Sequence, residues 1–103
     1  MTEIQLLQNK ISRFVNDRDW NKYHNSKNLS MAIACEAAEL MELFRWETEG
    51  EVPFTPIGDE QVRDEVADIA IFLLSFCNHH GIDLADAIKK KIKKNALKYP
   101  VIE

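Results

Sequence analysis

Apolar residues recur at helical spacing through the first part of the chain. Ile4, Leu7, Ile11, Phe14 and Val15 mark one face of a helix from Thr2 to Asp17, with Thr2 placed to cap it. The stretch Arg18 to Lys27 is polar and aromatic and reads as a loop. A second helix is predicted from about Asn28 to Glu47. Thr48 to Gly58 then concentrates two of the three glycines and two of the three prolines, which breaks any helix. A third helix is expected from Asp59 to His80, ending at Gly81, a residue suited to the left-handed position beyond a helix terminus. Asp83, with Asp86 three residues on, resembles a cap for a fourth helix reaching about Leu97, and Pro100 stops it. No internal repeat interrupts this order. The expectation is an all-α, four-helix bundle formed by one domain spanning residues 1–103.

Composition supports helices and narrows the setting. With 3 Gly and 3 Pro in 103 residues, a loop-rich sheet protein would lack turn residues, and 46% hydrophobic content argues against extended disorder. The two cysteines, Cys35 and Cys77, make no disulfide framework and read as reduced packing residues. The start lacks a basic leader, and no run of about 18 apolar residues occurs, so the expected location is cytoplasmic, with no membrane partner. A chain this short buries only part of its surface alone, so a second copy is expected to complete it.

The net charge of −4 disfavours a nucleic-acid partner, but the charge is unevenly spread. Glu36 to Asp68 holds eleven acids against two bases, Arg45 and Arg63, whereas the last fifteen residues hold six lysines and one acid. On a helical wheel at about 100° per residue, Leu29, Ile33, Leu40, Leu43 and Phe44 of the second helix share one arc, and Glu36 lies inside it. Glu39 falls just outside. An unpaired carboxylate in a core-facing stripe costs several kcal/mol, roughly, even after relaxation. The third helix repeats the anomaly: of the twelve residues Val66 to Cys77, ten are apolar and Asp68 is the only charge. Glu65 and Asp68 share a face at i, i+3.

If the two helices form an antiparallel hairpin across their eleven-residue connection, Glu36 and Glu39 face Glu65 and Asp68, and four carboxylates converge. Oxygen donors without His or thiolate favour a hard dication, Mg²⁺ or Mn²⁺. The alternative is that these acids are solvated charges on amphipathic helices.

Glu36-Ala-Ala-Glu39 followed by Glu65-Val-Ala-Asp68 resembles the metal signature of the MazG-like, all-α nucleoside triphosphate pyrophosphohydrolases. Arg18-Asp19-Trp20, His24, Lys27-Asn28-Leu29, Leu43-Phe44-Arg45-Trp46 and Lys98-Tyr99-Pro100 resemble, in order, the pattern of the dCTP pyrophosphatase branch. The resemblance implies Mg²⁺-dependent hydrolysis of a (deoxy)nucleoside triphosphate to the monophosphate and pyrophosphate, as house-cleaning of the nucleotide pool. It assigns the metal to Glu36, Glu39, Glu65 and Asp68, and water activation to Glu36 or Glu39. Substrate contacts would come from Trp20, His24, Trp46, Phe72, Asn95, Lys98 and Tyr99, and the assembly would be a homotetramer built from dimers. Two positions depart from the pattern: Ile11 and Phe72 stand where relatives carry a base-contacting histidine and a tyrosine. Both changes remove a hydrogen-bonding group and bear on base selectivity. Rival readings are a phosphoribosyl-ATP pyrophosphohydrolase-like enzyme, which does not call for Trp20 and Trp46 as base platforms, and a non-enzymatic helical dimerisation or regulatory module.

Overall fold

The computed structural model describes residues 1–45 and 59–102. Among them are four α-helices, α1 (Glu3–Asp17), α2 (Ser26–Leu43), α3 (Asp59–His80) and α4 (Leu84–Lys98), with a short 3-10 turn at Asn21–Tyr23. The breaker-rich stretch Thr48 to Gly58, together with Trp46 and Glu47, lies outside the described residues.

Each helix start has a chemical cause. Thr2 caps α1 through a reciprocal pair: its hydroxyl accepts from the Gln5 backbone N–H at 3.1 Å, and the Gln5 side chain accepts from the Thr2 N–H at 2.9 Å. The second helix begins two residues earlier than the sequence pattern indicates, because Asn25 is the cap and its side chain accepts from the Asn28 N–H at 2.8 Å. Asp83 caps α4 through the Asp86 N–H at 3.2 Å, but the Asp86 carboxylate turns to Lys90 at 2.9 Å instead of closing a reciprocal cap.

Two helices end in the same way. After α3 the chain enters the left-handed region at Gly81 (φ 66°), and the Ile82 N–H donates to the Cys77 carbonyl at 2.8 Å. After α1 the left-handed residue is Asp19 (φ 55°), and the Trp20 N–H donates to the Val15 carbonyl at 3.0 Å. The apolar contact expected of this motif is present, with Trp20 meeting Phe14 edge-to-face at 5.7 Å between ring centroids. This backbone arrangement, invisible in a stretch read as a loop, is what aims Trp20.

Helix α3 is the centre of the packing: α1 lies against one side and α2 against another, while α4 rests on α1. The Ser26 hydroxyl is 2.9 Å from His80 Nε2, so the start of α2 meets the end of α3 and the pair is antiparallel. Gln8, a buried polar residue of α1, ties the bundle together. Its amide donates to Asn78 Oδ1 at 3.1 Å and to the Ile82 carbonyl at 3.0 Å, and Asn78 donates back to the Gln8 carbonyl at 2.9 Å.

The apolar core among the described residues is small: Val15, Leu29, Leu74 and Cys77. Cys77 is a buried free thiol, as expected, and burial pushes its pKa up. Cys35 is not buried; it lies exposed on α2. The reason is that the α2 face carrying Met31, Ala34, Cys35, Ala38 and Met41 is exposed, with no helix among the described residues covering it. On α3, Val66, Ile71 and Leu73 are likewise exposed. The radius of gyration is 17.1 Å, against about 13 Å for a compact domain of roughly 100 residues. Among the described residues no helix is long and apolar enough to cross a membrane.

Candidate metal centre

The antiparallel pairing of α2 and α3 sets two acid pairs against each other. Carboxylate oxygens of Glu36, Glu65 and Asp68 lie within 4.8 Å of one another. Glu39 joins them through a hydrogen bond with Glu36 and through its charge, which acts on both Glu36 and Glu65. Burial within the cluster is uneven. Glu36 and Glu65 are half-buried, whereas Glu39 and Asp68 are exposed.

The electrostatic consequence falls mainly on Glu36. Loss of water, the hydrogen bond to Glu39 and the charges of Glu39, Asp68 and Glu65 together push its pKa up to about 7 from an ordinary 4.5. Glu65 is raised as well, first by desolvation and then by Glu39 and Asp68. One oxygen of each, Glu36 Oε2 and Glu65 Oε2, is buried without a hydrogen-bond partner. A buried acceptor left without a donor is costly, and two of them beside further carboxylates define a site lacking positive charge. Arg45 pairs with Glu42 at 3.3 Å. The donor set is all oxygen, which fits a hard dication and not Zn²⁺.

The other sequence-predicted residues fall in three places. Trp20 stands at the end of α1, 44% exposed, and the Arg18 guanidinium lies 3.5 Å from the Phe14 ring centroid beside it. His24 is half-buried and lines a polar cavity with His79, and Phe72 is half-buried on α3 one turn beyond Asp68. Asn95, Lys98 and Tyr99 occupy the exposed end of α4, where the Lys98 ammonium sits 5.4 Å from the Tyr99 ring. Trp46 lies outside the described residues.

Sequence reasoning did not single out Ser75 or His79. The signal was there: Glu65, Asp68, Phe72, Ser75 and His79 are spaced 3, 4, 3 and 4 apart, which places all five on one stripe of α3.

An all-helical architecture with paired acids facing each other across two antiparallel helices defines a class of acid-lined helical bundles suited to dication chemistry. Comparison with known proteins makes this specific. Residues 31–103 match the model of the MazG-like family, and the chain belongs to that family. It is 33% identical over 92 residues to human dCTP pyrophosphatase 1, covering 86% of this chain and 54% of that protein. The mouse dCTP pyrophosphatase 1 is 31% identical over 93 residues, covering 87% and 55%. The chain thus spans about half the length of the curated relatives it matches. A solved pyrophosphatase from Archaeoglobus fulgidus superposes with a TM-score of 0.79 at 34% identity, over 98% of this chain and 95% of that one.

Proposed function

We propose that this chain is a Mg²⁺-dependent nucleoside triphosphate pyrophosphohydrolase, Mn²⁺ serving as a substitute, that cleaves a deoxynucleoside triphosphate such as dCTP to the monophosphate and pyrophosphate. The observation that carries the reading is the pair of buried, partnerless oxygens, Glu36 Oε2 and Glu65 Oε2, at the centre of four carboxylates. The names of the relatives support the substrate class.

When bound, a dication at this site offsets the charge of carboxylates and triphosphate and makes water a stronger nucleophile. Glu36, Glu65 and Asp68 would hold it, the first two offering buried oxygens that have no other partner. Glu39, exposed and beside Glu36, would orient the attacking water and accept its proton at a carboxylate oxygen. Trp20 and Trp46 are the proposed base platforms, where stacking is worth about 1–3 kcal/mol per base and discriminates little. His24 and Phe72 line the nucleoside end. Asn95, Lys98 and Tyr99, on the exposed end of α4, would serve a neighbouring copy. The uncovered apolar faces of α2 and α3 and the open shape support a homo-oligomer, a dimer of dimers in this reading.

Incubation with each nucleoside triphosphate and Mg²⁺, measuring pyrophosphate against orthophosphate, tests the proposal. Pyrophosphate release abolished by Glu36→Gln is the expected result. Absence of pyrophosphate from every triphosphate overturns it and leaves a binding or dimerisation module. Sedimentation at micromolar concentration tests the assembly, and a monomer there removes the oligomer from the proposal.

A further inference from the structure

We propose that Arg18 is a positioning residue for the Trp20 platform: with Phe14 it forms a bracket that holds the indole in the orientation on which a nucleobase stacks. This rests on the nucleotide reading above and adds to it the side chains that set the geometry of its base platform.

An indole that is 44% exposed at a helix end has few neighbours to hold it, and a platform that turns loses the face-to-face contact on which stacking depends. The backbone of Trp20 is fixed from both sides. Its N–H donates to the Val15 carbonyl at 3.0 Å, and its carbonyl accepts from the Tyr23 N–H at 2.9 Å. That leaves the side-chain torsions. Phe14 limits them, meeting the indole edge-to-face at 71° with 5.7 Å between ring centroids. Phe14 is itself 47% exposed, so it needs a support of its own.

Arg18 supplies that support. One turn beyond Phe14, its guanidinium carbon lies 3.5 Å from the Phe14 ring centroid and 6.0 Å from the Trp20 ring centroid. The contact is tied down at the backbone. At the end of α1 the Arg18 N–H turns to the Asn16 carbonyl, and Arg18 Nη1 comes back to donate to the Phe14 carbonyl at 3.0 Å. Guanidinium, phenyl and indole thus close a triangle in which each group is restrained by the other two.

The charge of Arg18 is not committed to an acid. Asp17 and Asp19 flank it in sequence, yet no salt bridge among the described residues includes Arg18, and Asp19 pairs with Lys22 at 3.2 Å. A cation that merely offset the dipole at the end of α1 would need no planar group. A guanidinium stacks through its flat face while it donates through its edge, which an ammonium cannot do. Arg18→Lys therefore keeps the charge and removes the bracket.

Two measurements test this. The chain has two tryptophans, so Trp46→Phe leaves Trp20 as the only indole. In that background, with no nucleotide present, fluorescence anisotropy decay reads the fast local motion of Trp20 separately from tumbling of the whole molecule. Arg18→Lys and Phe14→Leu are each expected to raise the amplitude of that motion, and the double variant to raise it no further than the larger of the two. An amplitude unchanged by Arg18→Lys overturns the bracket. In turnover, with Trp46 in place, a binding orientation populated only part of the time lowers apparent affinity by that fraction. One exposed cation–π contact corresponds to about two- to fivefold, so Arg18→Lys is expected to raise KM by that factor and to leave kcat unchanged. A wild-type KM in Arg18→Lys, together with a raised KM in Arg18→Gln whose excess fades with added salt, means that Arg18 acts as a charge on the phosphates and overturns the positioning role. A fall in kcat at constant KM overturns it as well. Should the wild type release no pyrophosphate from any triphosphate, the hydrolytic reading falls while the anisotropy decay still decides whether Arg18 holds Trp20. Both side chains are exposed, so the variants keep the fold, which thermal melting verifies.

Discussion

Replacing Glu36 by Gln is expected to stabilise the metal-free protein and to remove its response to dications. The perturbation deletes one charge and keeps the shape of the protonated acid. Its oxygens lie within 4.8 Å of those of Asp68 and Glu65. Two unit charges at that separation repel by about 1 kcal/mol in water and about 3.5 kcal/mol at an effective dielectric of 20. Because Asp68 faces solvent, the lower figure applies to that pair, so the gain is about 1 kcal/mol, or roughly 4–8 °C in Tm for a domain of this size.

The effect depends on pH in a defined direction. The folded-state pKa of Glu36, about 7, lies above its ordinary 4.5, so the folded protein holds more protons between those values. The favourable contribution of the protonated form is complete below pH 4.5 and is lost as pH rises through 7. The variant should therefore match the wild type at pH 4 and exceed it at pH 8, both in EDTA and at equal protein concentration. Saturating Mg²⁺ or Mn²⁺ should reverse the order at pH 8, since a ligand at about 100 times its Kd adds about 2.7 kcal/mol to whichever protein binds it. The assay is thermal melting on a pH-by-metal grid. Parallel melting of the two proteins at both pH values, with no gain from either cation, would refute the claim that these acids form a charge-deficient site.

Three further outcomes follow from the packing. Gln8→Ala should cost about 2–3 kcal/mol in denaturant unfolding, because it strands Asn78 Oδ1 and the Ile82 carbonyl in a part-buried setting; a loss under 0.5 kcal/mol would mean that water replaces the amide freely. Asp19→Gly should raise stability by about 0.5–1 kcal/mol, since glycine adopts φ 55° without strain and the lost Lys22 pair is exposed, whereas Asp19→Val should lower it; the opposite order would contradict the left-handed helix end. Leu29→Ala, at a side chain 1% exposed, should lose about 2–5 kcal/mol, and a smaller loss would show that α2 packs more loosely on its neighbours than described.

Much of this molecule was written locally. The bounds of α3, the caps Thr2 and Asp83 and the stop at Gly81 are legible because each depends on residues three or four apart. The acid pairs were legible for the same reason: a carboxylate inside an apolar stripe is a contradiction visible on one helix. What periodicity cannot state is how much water a second helix removes from each group. Only the packing of α2 on α3 made Glu36 and Glu65 the half-buried members and left Glu39 and Asp68 in solvent.

The same limit explains the differences. Cys35 sits in an apolar stretch, yet the face it occupies meets no helix among the described residues, so its apolar neighbours are exposed with it. Asp19 takes a backbone conformation usually reserved for glycine, and it is found only by following the Val15 carbonyl to the Trp20 N–H. Gln8 and Asn78 lie 70 positions apart and satisfy each other only once α1 has crossed α3. Sequence therefore determined which elements form and which side chains are out of place on them. Tertiary structure decided which polar atoms lose water and what faces them, because desolvation and long-range hydrogen bonding are properties of two surfaces brought together and not of either one alone.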